Sequence, residues 1–187
     1  MRIITGKAKG TVLKTPAGEA TRPTADRVKE AVFSMIQFDI EDRSVLDLFA
    51  GSGQLGLEAL SRGAKSATFV DKSKEAIKFI KENAEKSKLI YGTTIIHSDY
   101  SEFLEKNIGS RYDIIFLDPP YAAKLYRPAL KKLLDNGYIK STTFIVCESD
   151  FNNLFEDDDI LKSKFTIKKQ SKYSKTVITV LGLKDED

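Results

Sequence analysis

The tetrapeptide Asp118-Pro119-Pro120-Tyr121 carries the residue types best suited to chemistry on a nucleobase. Two consecutive prolines stiffen the turn and remove two backbone donors, which leaves carbonyls free to accept. An exocyclic amine on adenine or guanine is a poor nucleophile because its lone pair is delocalised into the ring. Accepting its two hydrogens on the Asp118 carboxylate and the Pro119 carbonyl orients the nitrogen and favours the pyramidal geometry in which the lone pair reaches an electrophilic carbon. Tyr121 is placed to stack on the base. No covalent nucleophile or strong base is required. The competing reading, a turn that merely ends a buried strand, is weakened because this turn follows a strand beside a glycine loop.

That loop reads Asp47-Leu-Phe49-Ala50-Gly51-Ser52-Gly53-Gln-Leu-Gly56. Glycines permit a tight strand-to-helix turn and let a ligand approach where a Cβ would collide. Glycine turns of this kind are common, so the context matters. The next strand ends in Asp71, about 20 residues on, where a carboxylate accepts from a ribose diol. Dinucleotide and S-adenosylmethionine sites share these features. Asp47 separates them, since an acid there suits a cationic ammonium and repels a pyrophosphate. Asp99, after the third strand, is placed to meet an adenine amino group. For Asp47 and Asp99 the alternative is a loop or cap acid.

Composition closes off other chemistries. Cys147 is the single cysteine and His97 the single histidine, so an internal disulfide, a Cys/His zinc cluster and any triad not built on His97 are excluded. Cys147 lies in an apolar strand with no partner base and reads as core; His97, at a strand end, reads as structural. No metal is expected. Apolar runs fall far short of the ~20 residues that span a bilayer, and Arg2 and Lys7 leave no room for a signal-peptide segment, so a soluble, cytoplasmic protein is expected. Thirty basic against 27 acidic residues give a net charge of +3. The distribution is more telling. Residues 1–27 hold six basic residues against Glu19 and Asp26, and residues 162–175 hold six lysines and no acid. Folded onto one face, these ends would suit a phosphate backbone; as a hairpin of period near two, 162–175 is read as RNA-facing. The acidic run Glu156 to Asp159 is read as a solvated loop.

The elements that must position these residues follow from periodicity. Arg2 to Thr5 and Thr11 to Lys14, separated by glycines, suggest a β-hairpin followed by a loop. A helix follows with Thr24 as N-cap and Val28, Ala31, Val32, Met35 and Ile36 on one stripe. Strands over 44–49, 66–71, 93–97, 113–117 and 143–147 alternate with helices over 55–62, 74–86, 101–106 and 124–134. This is an α/β, Rossmann-like, doubly wound and mostly parallel sheet. Segments 165–169 and 176–181 predict a C-terminal antiparallel hairpin. All 187 residues fit one domain on the prior of about 100–200 residues, with 1–40 as extension and 41–187 as core. Ligands in such sheets lie beyond the strands' carboxyl ends.

Taken together, the chain resembles class I S-adenosylmethionine-dependent methyltransferases, and more closely the bacterial RsmD family, which methylates N2 of a guanine in 16S ribosomal RNA. The resemblance rests on Met1-Arg-Ile-Ile-Thr-Gly6, Thr21-Arg-Pro-Thr-Ala-Asp-Arg-Val-Lys-Glu30, Asp47 to Gly53 with Leu55 to Arg62, and Asp118 to Tyr121. The glycine and Asp-Pro-Pro-Tyr motifs alone would say only amino-methyltransferase, and the segment from Thr21 to Glu30 is far more restrictive. It implies S-adenosylmethionine held by Asp47, Phe49, Ala50, Gly51, Ser52, Gly53, Asp71 and Asp99, with the guanine held by Asp118, Pro119, Pro120 and Tyr121. It also implies 16S rRNA, within the 30S subunit or an assembly intermediate, as partner of a monomeric enzyme. Arg2, Lys7, Arg22, Thr24, Arg27, Lys168 and Lys172 are the RNA-contact candidates, with Arg22 and Thr24 placed over either cofactor or RNA. An adenine-N6 methyltransferase, a non-catalytic RNA-binding protein of the same fold and a nicotinamide-dependent reductase are the alternatives.

Overall fold

Central strands buried on both faces must be apolar at successive positions, and Ile114-Ile-Phe-Leu117 meets that demand in the middle of the sheet. The computed structural model describes residues 1–15, 23–120, 125–155 and 158–184, with the side chains of 23–25 outside that description. The elements in chain order are α1 (Pro23–Met35), β1 (Ser44–Asp47), α2 (Gln54–Ser61), β2 (Ser66–Asp71), α3 (Lys74–Lys86), β3 (Thr93–His97) and α4 (Tyr100–Lys106). They continue as β4 (Tyr112–Leu117), α5 (Tyr126–Asp135), β5 (Ile139–Ser149), α6 (Asp159–Lys164), β6 (Phe165–Tyr173) and β7 (Thr176–Leu183).

Seven strands form one sheet in the order β3-β2-β1-β4-β5-β7-β6. The first five are parallel, while β7 runs antiparallel between β5 and β6. Strand alternation sorts the core into two layers. Val45, Phe69, Ile114, Phe116, Val146 and Val180 meet α1, α2 and α3 on one face. Leu46, Val70, Ile115, Leu117, Cys147 and Leu181 meet α4, α5 and α6 on the other. Strand order reverses between β1 and β4, which opens a crevice beyond their carboxyl ends.

Several local expectations need correction. Helix α1 already includes Pro23, so Thr24 lies in its first turn rather than at the cap; proline's fixed φ favours that first position. The N-terminal hairpin has one antiparallel bridge, Arg2 with Val12, because Ile4 and Thr5 give their amides to the Glu58 carboxylate at 2.7 and 3.0 Å instead of to a ladder. The acidic run is not simply solvated: Asp158 caps α6, accepting from the Leu161 amide at 3.0 Å. Residues 162–164 therefore end a helix, and the basic strand starts at Phe165.

Candidate functional site

A cavity of about 480 Å³ occupies the crevice, lined by the β1–α2 loop, the tip of β2, the start of α4, the Asp118-Pro119-Pro120 turn, Leu125 and Glu148. Asp47, Phe49, Ala50, Gly51, Ser52, Asp71, Asp99, Asp118, Pro119 and Pro120 all lie on its wall. Residues placed together by the strand-end rule are thus brought together in space. Tyr121 and Arg22 fall outside the described residues, as does the Thr24 side chain.

The loop owes its shape to glycine. Gly51 and Gly53 have φ of 53° and 78°, a left-handed backbone that side chains disfavour. A Cβ on Gly51 would project into open space, so the cradle is bare where a ligand would enter. Gly56 works differently: a Cβ there would lie 2.3 Å from the Phe69 ring, so its absence seats α2 on β2. The loop is anchored by acids. Asp71 accepts from the Gly51 amide and from the Ser73 amide, each at 2.8 Å. Asp47, 2% exposed, accepts from the Gly56 amide at 3.0 Å. Burial, aided by nearby Asp71, raises its carboxyl to about 7 against the pull of that amide. Asp99 caps α4 through the Ser101 amide at 2.9 Å. Each of these acids is part of a local turn and also lines the cavity.

Sequence reasoning missed several neighbours. Tyr100 joins the wall, its ring 5.1 Å from that of Phe49; its place directly after Asp99 was the available signal. Asn83, fully buried on α3, donates to the Ser52 and Lys14 carbonyls at 2.9 Å and accepts from the Lys14 amide at 2.7 Å. It thereby ties the glycine loop to the N-terminal segment, and nothing in the sequence announces it. His97 is exposed, its Nε2 3.0 Å from the Lys72 carbonyl. Cys147 is buried, which pushes its thiol well above the usual range.

The basic segments converge on α1. Lys29 of α1 donates to the Arg2 carbonyl, and Lys169 of β6 donates to the Met35 carbonyl at the helix end. Arg2, Lys7, Arg27, Lys168 and Lys172 are all exposed. Lys168 lies at a register shift in β6, its stem across Gly182. Lys172 pairs with Val177, which pairs with Ser149, so the β6–β7 tip stands at the cavity end of the sheet. No helix among the described residues is long and apolar enough to cross a membrane.

A mostly parallel seven-strand sheet with β7 reversed, and a glycine loop facing an Asp-Pro-Pro turn across the switch point, define a class I methyltransferase. The chain belongs to the family described as Conserved hypothetical protein 95, which matches residues 1–182. It is similar to the Ribosomal RNA small subunit methyltransferase D of Escherichia coli, 36% identical over 153 residues and covering 82% of this chain and 76% of that protein. The protein of the same name from Haemophilus influenzae is 35% identical over 171 residues, 89% of each. The solved structure of yhhF from Escherichia coli matches with a TM-score of 0.84 at 29% identity, covering 100% of this chain and 99% of that one.

Proposed function

We propose that this methyltransferase transfers a methyl group from S-adenosylmethionine to the exocyclic N2 of one guanine in 16S rRNA of the small ribosomal subunit. The observation that carries the reading is the shared cavity: the glycine loop and the Asp118-Pro119-Pro120 turn line one space. When bound, the cofactor supplies an electrophilic methyl on a sulfonium, a good leaving group. Asp47 and Phe49 to Gly53 hold its methionine part, Asp71 its ribose diol and Asp99 its adenine. The bare cradle over Gly51 and the acid set, which favours a cation over a pyrophosphate, support this fit.

The target guanine leaves its stack to enter the cavity. The Asp118 carboxylate and the Pro119 carbonyl accept its two amine hydrogens and hold the nitrogen lone pair toward the methyl. Tyr121 stacks on the base. The proton leaves afterwards to water or Asp118. Arg2, Lys7, Arg27, Lys168 and Lys172 neutralise rRNA phosphates, and Arg22 and Thr24 contact either the RNA or the cofactor. The enzyme acts as a cytoplasmic monomer on the 30S subunit or an assembly intermediate. Incubation with labelled S-adenosylmethionine and subunits lacking the modification, then nucleoside mass spectrometry, tests this. N2-methylguanosine is expected; N6-methyladenosine, or binding without any methylation, overturns it.

Asp47 gives a pH signature. Its carboxyl ionises near pH 7 in the free protein, so it must shed a proton before pairing with an ammonium. Cofactor affinity is expected to weaken below pH 7, approaching about tenfold per unit, with a proton released on binding. Calorimetry between about pH 5.5 and 7.5 reads both, and Asp47→Asn flattens that limb while weakening binding. The folded pKa lies above the ordinary 3.8. Ionised Asp47 therefore costs stability, absent at acid pH and growing until pH passes 7. Asp47→Asn should raise the melting temperature of the ligand-free protein most above pH 7.

A further inference from the structure

Glu148 shares the reacting wall of the cavity with Asp118 and Pro119, and the chemistry described so far gives it no role. It lies at the end of β5, directly beside the end of β4. The register pairs Leu117 with Cys147, so the next residue on each strand, Asp118 and Glu148, stand side by side at neighbouring parallel tips, roughly 4.7–4.9 Å apart along the hydrogen-bonding direction. Strand alternation reinforces the placement. Leu117 and Cys147 both turn into the core beneath α4, α5 and α6, which directs Glu148 to the other side, the side of Val146.

The tip is held firmly. The buried Tyr126 hydroxyl donates to the Glu148 carbonyl, the Tyr126 ring meets Phe151 edge-on at 5.5 Å, and the Ser149 hydroxyl donates to the Phe151 carbonyl at 2.7 Å. These contacts use the main chain and neighbouring residues. That side chain is half-buried on the cavity wall. A carboxylate has about four acceptor positions.

Two acids side by side form a row of acceptors, and a purine that fits them must present a row of donors. Guanine does: its N1–H adjoins its N2 amine. Adenine offers an amine next to a ring nitrogen that is itself an acceptor. A purine whose amine is gripped by Asp118 and Pro119 directs its N1 to the neighbouring tip. There the Glu148 carboxylate accepts from guanine N1–H, whereas adenine would set a lone pair against a carboxylate with no donor between them. Sites built to bond a particular hydrogen reject analogues that lack it far more strongly than apolar pockets discriminate by size.

We propose that Glu148 is a specificity-determining residue that selects guanine by accepting a hydrogen bond from its N1–H. This rests on the reading of the site as a guanine-N2 methyltransferase. The test uses small subunits reconstituted with 16S rRNA carrying either guanine or 2-aminopurine at the mapped target. 2-Aminopurine keeps the reacting amine and lacks N1–H. The intact enzyme is expected to prefer guanine by at least about 100-fold in kcat/KM. In Glu148→Gln the amide can donate to the unprotonated N1, so activity on guanine falls while 2-aminopurine improves, and the preference shrinks to within about tenfold. Cofactor affinity by calorimetry stays unchanged, which certifies the fold. A Glu148→Gln enzyme that keeps the full preference overturns the proposal, as does an intact enzyme that methylates both subunits equally well; the latter needs no variant. Failure of the underlying reading looks different, because the intact enzyme would then yield no N2-methylguanosine from ordinary subunits.

Discussion

Asp118→Ala is expected to lower kcat on small subunits by on the order of 10³-fold, about 4 kcal/mol of transition-state stabilisation, while the cofactor dissociation constant stays within about twofold. Asp118 follows β4 and lines the cavity beside Pro119; its proposed role is to orient an amine, so its loss should fall on the chemical step. Asp71→Ala is the contrasting case. Its two carboxylate oxygens fix the Gly51 and Ser73 amides, and the proposed ribose contact adds to them. Removing it loosens the cradle and deletes a ligand acceptor, so the cofactor dissociation constant should rise by roughly 10- to 100-fold, with turnover at saturating cofactor much less affected. Calorimetry and single-turnover assays on the same two variants separate the effects. Equal activity of both variants and the intact enzyme would remove the assigned roles, and a swap of the two phenotypes would invert them.

How much of this was legible in the sequence depended on whether the signal was local. β2, α3 and β3 appear over the residues their periodicity predicts, since alternation and the Ser73 cap act within one segment. β1 ends at Asp47, not Phe49, because the glycine loop begins to turn earlier than apolarity suggests. α6 was invisible, being six residues long and masked by flanking acids that read as solvated. The same division runs through the site. The glycine loop and the Asp-Pro-Pro turn are contiguous strings whose backbone demands are written in residue type. Glu148 and Asn83 become neighbours of those strings only through sheet order and helix packing, which single-sequence spacing does not encode. The charge of Asp47 is plain in the sequence; the Gly56 amide that it also holds, and the burial that lifts its carboxyl, come only with the fold.

The largest loss of stability is expected from Glu58, a residue that the ligand chemistry does not need. Glu58 is fully buried on α2. Its carboxylate accepts from the Ile4 and Thr5 amides and from Arg62 Nε at 2.8 Å, and lies 3.5 Å from the Lys29 ammonium. Lys29 is itself 2% exposed, and burial holds its pKa below the usual lysine range despite that partner. Glu58→Ala would strand a buried cation and two amides, a cost of about 3–5 kcal/mol. The urea midpoint should fall accordingly, and the Ile4 and Thr5 amides should lose hydrogen-exchange protection. Removing both charges costs less, so Glu58→Leu with Lys29→Met should recover part of the loss, a non-additivity that separates an unpaired charge from simple loss of packing. Nearby, Gly6 sits so close to α2 that a Cβ would lie 1.8 Å from the Ser61 carbonyl oxygen, and the Lys7 amide bonds that same oxygen at 2.8 Å. Glu58 thus anchors the strip that presents Arg2 and Lys7. Its loss should weaken RNA binding at a temperature where the core is still folded, with the cofactor dissociation constant little changed. Unaltered RNA affinity in a variant whose Ile4 and Thr5 amides exchange freely would show that the strip does not carry that surface.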